Sequence, residues 1–236
     1  MEKGSGHGII ARDGRERYRI ASACHDRGLD QPEVFIVTLA HGTDQLESDR
    51  LVLRRVTPAD LPFFTRIHAL PEVARGLWPE GRPRMSEETA QWLRSTLASY
   101  DELALGYLAV LRKQDGMLIG RCGLMELVVE SDTPKQRLRK GWFGRAECPT
   151  GVPLIFECEL GYTFDPSVWG RGFASEAARC VRNYARDVLR LPYAISAILP
   201  HNIRSRHVAE REGALADRQM EVVGLTFDRY RWPLAT

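Results

Sequence analysis

What this chain lacks narrows its function first. Its five cysteines (Cys24, Cys122, Cys148, Cys158 and Cys180) are odd in number, scattered, and form no C-x-x-C pair. Such a set builds neither a disulfide framework nor a zinc site, and no metal is expected. No apolar run is long enough to span a bilayer, and the opening MEKGSGHGII has no sustained apolar core of the kind that directs secretion. No membrane partner and a cytoplasmic location are therefore the expectation. A net charge of +2 gives no bulk field to attract nucleic acid.

What is present is an ordinary composition, unevenly arranged. At 236 residues, 44% hydrophobic and 27% charged, the chain is long enough for one well-buried domain with an appendage. Residues 1–48 are polar and rich in Gly and Arg, with one apolar run, VFIVTLA, at 34–40 that could form a strand. They read as a poorly ordered or loosely attached extension. From residue 49 the pattern sharpens. A strand is expected at 51–56, then a helix with Thr57 as cap and Pro58 at its first position, a loop at 75–85, and a helix capped by Ser86. LALGYLAVLR and MLIGRCGLMELVV form two strands around the turn KQDG.

Residues 131–150 interrupt this rhythm with five Lys/Arg against two acids, together with Trp142 and Phe143. They read as a solvated basic insertion. The strand PLIFECELGYTF, the helix FASEAARCVRNYARDVLR, the strand YAISAIL, a helix over about 202–212 and two closing strands follow. The helix after the turn should bury Ala177, Val181 and Tyr184. No internal repeat is visible, so residues 49–236 form one mixed α/β domain.

The stretch PSVWGRGFASEAA carries the most chemistry. Gly170 and Gly172 flank Arg171 directly before a helix, where unpaired N–H groups and the helix dipole favour an anion. A phosphate-binding P-loop would end in G-K-[ST], and GRGFAS has no lysine. A dinucleotide fingerprint would place a third glycine or alanine where Ser175 stands, and no acidic residue ends the next strand.

The run Trp169-Gly170-Arg171-Gly172-Phe173-Ala174 instead resembles the cofactor motif of the GNAT N-acetyltransferase superfamily. Trp169 stands where most relatives carry Gln or Arg. The longer phrase ELGYTFDPSVWGRGFASEA is similar to the Rim-like branch, whose members acetylate ribosomal-protein N-termini. SDRLVLRRVTPAD, HNIRSRHVAEREGA and Tyr230 add matches, with Ala214 replacing the branch's usual Phe. The resemblance covers about residues 49 to 234.

It implies a mostly antiparallel twisted sheet, splayed between the domain's fourth and fifth strands and flanked by helices. It also implies an acetyl-CoA-dependent N-acetyltransferase acting directly on a primary amine, either a protein N-terminus or a small molecule. By that resemblance Trp169, Gly170, Arg171, Gly172, Phe173, Ala174 and Ser175 would cradle the pyrophosphate of coenzyme A. Backbone groups of Tyr162, Thr163 and Phe164 would pair with its pantetheine arm, and Asn202 would bond that arm or cap the helix it opens. Strand alternation puts Glu157 and Glu159 on one face, away from Cys158 and Leu160. Glu159, just before the splay, is the candidate base; the competing reading is a strand glutamate paired with an arginine. Ser205 is the candidate proton donor to sulfur, against an ordinary first-turn helix serine. Cys158 is read as a core residue rather than an acyl carrier. Trp78, Glu80 and Glu221 are expected on the acceptor side, with Glu221 or a water as the alternative base. A homodimer and a non-catalytic acetyl-CoA-binding sensor are the open alternatives.

Overall fold

The computed structural model describes residues 45–78, 81–103, 105–130, 154–222 and 225–234, with the backbone of strands at 17–22, 33–38 and 136–138. Most of the expected basic insertion and of the N-terminal extension lies outside the described residues. Within the extension, β1 (Arg17–Ser22) pairs antiparallel with β2 (Glu33–Thr38) as a separate two-stranded sheet. The strand at β1 was not expected; RYRIAS offers too short an alternation to stand out.

The main sheet is assembled by short-range hairpins. Strands β3 (Gln45–Glu47), β4 (Leu51–Arg55), β5 (Gly106–Arg112) and β6 (Leu118–Glu130) run antiparallel in that order. β6 then pairs along its length with β8 (Leu154–Phe164), from Gly120↔Phe164 to Glu130↔Leu154. β9 (Tyr193–Ile198) lies parallel to β8, β11 (Leu225–Pro233) pairs with β9, and β10 (Leu215–Val222) pairs with β11. The order is that of an open, mostly antiparallel α/β sheet, as expected. A short strand from the basic segment, β7 (Gln136–Leu138), pairs with Val129 of β6 and runs parallel to the end of β10. It joins β6 to β10, and Leu127, Ile195, Leu199, Met220 and Phe227 form a small second core among these strands.

Helices cover both faces. α1 (Leu61–His68), α2 (Pro71–Leu77) and α3 (Ser86–Leu103) follow β4. Thr57 and Asp60 close a reciprocal cap around a 3-10 turn at Pro58–Asp60, so the expected helix starts three residues late. α2 overlaps the loop expected at 75–85; Pro71 opens it and Gly76 near its end masked it in the sequence. The ring centres of Phe64 and Trp92 sit 4.8 Å apart, joining α1 to α3 over the sheet. α4 (Phe173–Asp187) packs on β4, β6 and β8 through Phe173, Ala177, Ala178, Val181 and Ala185. Burial at one side of successive turns is what a helix on a sheet requires, and Tyr184 is only half-buried. α5 (Ile203–Arg211) follows β9. Among the described residues no helix is long and apolar enough to cross a membrane.

One buried hydroxyl ties these layers together. Tyr100 of α3 donates to the carbonyl of Tyr107 and accepts from the Val56 N–H at 3.0 Å. Gly106 makes room for it, since a Cβ there would lie 2.1 Å from the Tyr100 ring. Removing the hydroxyl strands a buried N–H, which costs about 1–3 kcal/mol. Urea unfolding of Tyr100→Phe is expected to show that loss as a lower midpoint with an unchanged slope.

Candidate active site

The site begins where β8 and β9 part. These parallel strands share one residue pair, Glu159↔Ile195. Beyond it, side chains replace the ladder. Ser196 Oγ donates to the Leu160 carbonyl at 2.5 Å and accepts from Trp232 Nε1 at 2.9 Å. The Ala197 N–H donates to Glu159 Oε1 at 3.4 Å. Successive residues of a strand turn their backbone groups to opposite edges. Leu160 faces the fork, and so does Phe164, whose carbonyl accepts from Trp169 Nε1 at 2.9 Å. Tyr162, between them, turns its N–H and C=O the same way. Thr163 turns its backbone to β6 opposite Arg121, so of the three residues expected to meet a pantetheine arm it is the one facing away.

The glycine turn closes the far end of the fork. Gly170 has φ +75° and Gly172, the N-cap of α4, has φ +78°. Side-chain-bearing residues reach this left-handed region only with strain, whereas glycine does so freely. A glycine cap also leaves the first-turn amides of α4 without a side-chain acceptor. Arg50 braces the turn: its Nη1 donates to the Arg171 carbonyl at 3.2 Å and its Nε pairs with Glu176 at 2.6 Å. The Arg171 side chain points to solvent.

Two hollows meet at the fork. One, a groove of about 360 Å³, runs along Tyr162, Phe164 and Trp169 to the α4 amides at Phe173, Ala174 and Ser175. Arg204 and Arg211 of α5 give it a cationic wall, with the Arg204 guanidinium 4.8 Å from the Trp169 ring centre. The other, a cavity of about 80 Å³, holds Glu159, Tyr107, Arg121 and Ser196. Gly76, Leu77, Tyr162, Asn202 and Ser205 line both. The groove's free strand edge and uncapped helix amides suit an elongated ligand with an anionic end, which coenzyme A is.

At the junction, Ser205 Oγ donates to Tyr162 Oη at 3.2 Å, and Tyr162 Oη donates to the Ser205 carbonyl at 2.8 Å. Asn202 caps α5 by accepting from the Ser205 N–H at 3.1 Å and donates to the Gly76 carbonyl of α2 at 2.9 Å. Its amide therefore docks one helix against another across the fork. Gly76 permits the approach, because a Cβ there would lie 2.8 Å from Asn202 Nδ2.

The arginine pairing that was the competing reading of Glu159 is found at its neighbour Glu157. Glu157 pairs with the buried Arg229 at 2.8 Å, and Arg229 also bonds Asp217. Glu159 has no ion pair among the described residues. It takes a hydrogen bond from Tyr107 Oη at 3.3 Å, and Gly161 leaves the space for that tyrosine, whose hydroxyl would lie 2.7 Å from a Cβ. Burial pushes the Glu159 carboxyl up to about 7, against the opposing pull of the Ala197 N–H, Arg121 and Tyr107.

Other expectations fall elsewhere. Trp78 turns into the protein, its ring centre 5.4 Å from that of His68 and the Arg84 guanidinium 3.4 Å above it, and it lines neither hollow. Glu221 sits half-buried on β10, opposite Thr226, and also lines neither. Glu80 lies outside the described residues. Cys158 is buried in the apolar core. Sequence reasoning passed over Arg121 and Tyr107. Arg121 had a visible signal, the one basic residue inside the mostly apolar strand MLIGRCGLMELVV.

The Glu159 carboxyl binds its proton more tightly when folded than when unfolded. Stability is therefore fully present below the ordinary value of 4.5 and declines as pH rises to about 7. Glu159→Gln removes this dependence while keeping the shape. Between pH 5 and pH 8, urea titrations are expected to show wild type losing about 2.5 kcal/mol relative to the variant. Parallel pH profiles would mean that the carboxyl ionises at its ordinary value.

A family model described as an Acetyltransferase (GNAT) domain matches residues 50–214. The fold is similar to that of an acetyltransferase from Agrobacterium tumefaciens, at 25% identity and a TM-score of 0.59, covering 82% of this chain and 96% of that one. It is also similar to a GNAT-family acetyltransferase from Bordetella pertussis (19% identity, TM-score 0.59, 80% and 99% coverage). A third similar structure is RimL, a ribosomal alpha-N-protein acetyltransferase in complex with Coenzyme A (15%, TM-score 0.56, 80% and 98%). With most of its length under that family model and a forked sheet between two hollows, the chain belongs to the GNAT acetyltransferase family and is an acyltransferase.

Proposed function

We propose that this protein transfers the acetyl group of acetyl-CoA directly to a primary amine, with residues 49–236 as the catalytic domain. One observation carries the reading: a groove ending on uncapped helix amides opens, through Tyr162 and Ser205, into a cavity holding an unpaired buried carboxyl. Acetyl-CoA supplies the activated acyl group as a thioester. The α4 amides around Gly172 would hold its pyrophosphate, the free edge of β8 at Tyr162 its pantetheine arm, and Arg204 and Arg211 add positive charge along the groove.

Glu159 is the base in this reading. A free amine of pKa about 8 is mostly protonated at neutral pH, and a carboxylate that titrates near 7 is matched to take that proton. The amine nitrogen then bonds to the acetyl carbon as the carbon–sulfur bond breaks. Ser205 gives its hydroxyl proton to the departing sulfur and takes back the one that the nitrogen sheds on becoming an amide, while Tyr162 Oη, which accepts from Ser205 Oγ and donates to the Ser205 carbonyl, holds that hydroxyl in place. The Tyr162 N–H, turned into the fork, polarises the thioester carbonyl as in an oxyanion hole. Asn202 keeps Ser205 in place by capping α5.

The Rim-like phrase around Gly170 supports an amino-terminal or small amine as acceptor. RimL's complex with Coenzyme A is a property of that protein and at 15% identity lends the fold alone.

Calorimetric titration of acetyl-CoA is the test. Micromolar binding to wild type is expected, abolished by a folded Gly172→Trp that fills the turn. Ser205→Ala is expected to bind normally while thiol release with an amine falls about 100-fold or more. Binding with no turnover on any amine would leave a non-catalytic acetyl-CoA-binding module; no binding would remove the enzyme reading altogether.

A further inference from the structure

The protein treats its two buried arginines on this side of the sheet differently. Arg229, 3% exposed, is matched by Glu157 at 2.8 Å and by Asp217. Arg121, 1% exposed, has no carboxylate within ion-pair distance among the described residues, and its Nε and Nη1 find no acceptor there. A guanidinium stays charged at any ordinary pH, so burying it without a counter-ion is costly. Aromatic faces offset part of that cost: its central carbon lies 3.8 Å from the Tyr107 ring centre and 5.0 Å from that of Trp92. They stabilise a cation but accept no N–H.

The buried histidine beside it does not change this balance. Burial, with Arg121 and Arg84 nearby, holds His68 neutral, its pKa lowered to about 2. Arg121 thus lines the 80 Å³ cavity as a fixed positive charge that interacts with the Tyr107 hydroxyl and keeps Nε and Nη1 without acceptors.

The position of that charge matters. The ring that carries Arg121 on its face sends its own hydroxyl to Glu159 at 3.3 Å. Cation and carboxyl therefore stand one tyrosine ring apart across the cavity. An α-amino acid spans such a gap, with its ammonium on Glu159, its carboxylate on Arg121, and a hydrogen bond at each end. A cavity of about 80 Å³ has room for a small zwitterion. A polyamine would bring a second positive charge toward Arg121.

We propose that the acceptor is a free α-amino acid and that Arg121 selects it by binding its carboxylate. This rests on the reading of Glu159 as the base that receives the same molecule's amine.

The experiment compares each L-amino acid with its α-amide in acetyl-CoA-dependent thiol release by the full chain, with an N-terminal tripeptide and spermidine alongside. The acid is expected to exceed its amide roughly 10- to 100-fold in kcat/KM, chiefly through KM. Arg121→Gln, checked by melting temperature and by an unchanged Kd for acetyl-CoA, is expected to level acid and amide. Equal use of acid and amide by wild type, or preference for the tripeptide or spermidine, overturns the proposal and leaves the acetyltransferase reading standing. Acetyl-CoA binding without thiol release on any amine overturns both. The wild-type comparison stands even where the variant fails to fold.

Discussion

Everything distinctive in this protein follows from two parallel strands that stop pairing after one residue. A sheet that opens leaves unpaired backbone groups, which are costly when buried without partners. Here the crotch of the fork is held by side chains: Ser196 bridges to Leu160, Trp232 holds Ser196, and Glu159 takes the Ala197 N–H. Those substitutions satisfy the opening at its base and leave the edge beyond it, at Tyr162, turned toward open space. The same constraint draws a carboxyl into the interior, because Glu159 is the residue at which pairing ends. Its proton affinity is thus a consequence of where the sheet divides.

Helices from the two faces meet over that opening. Asn202 reaches from the start of α5 to the Gly76 carbonyl of α2, and His201 Nε2 lies 2.7 Å from the Arg75 carbonyl beside it. The bridge separates groove from cavity while leaving Tyr162 and Ser205 exposed to both. Acyl transfer needs that geometry, since two substrates must approach one point from opposite sides and exclude water between them. The charge arrangement follows suit. Cations line the groove wall, while the cavity holds one carboxyl and one guanidinium set apart.

Much of this was legible in the chain. The glycine turn, the strand before it and the helix after it were readable because each carries a local signal: positive φ favours glycine, alternation marks the strand, and a small-residue stripe marks α4. The parity of Glu157 and Glu159 also followed from alternation. What distinguishes the two glutamates did not, because Arg229 lies 72 residues from Glu157. Pairings at that separation are set by topology and leave no local trace. Trp78 misled for the opposite reason: a tryptophan in a Pro- and Gly-rich stretch suggests a binding loop, whereas α2 turns it against His68 and Trp92's cluster. Tyr107 reaches Glu159 only because Gly161, on a strand two places away in the sheet, has no side chain.

The pH dependence of the single-turnover rate at saturating acetyl-CoA tests the central claim most directly, measured for wild type and Glu159→Gln. The account predicts a wild-type rate that rises through an apparent pKa near 7 and a slow variant in which that limb is gone. The same limb in the variant, at an undiminished rate, would contradict it and place the base elsewhere.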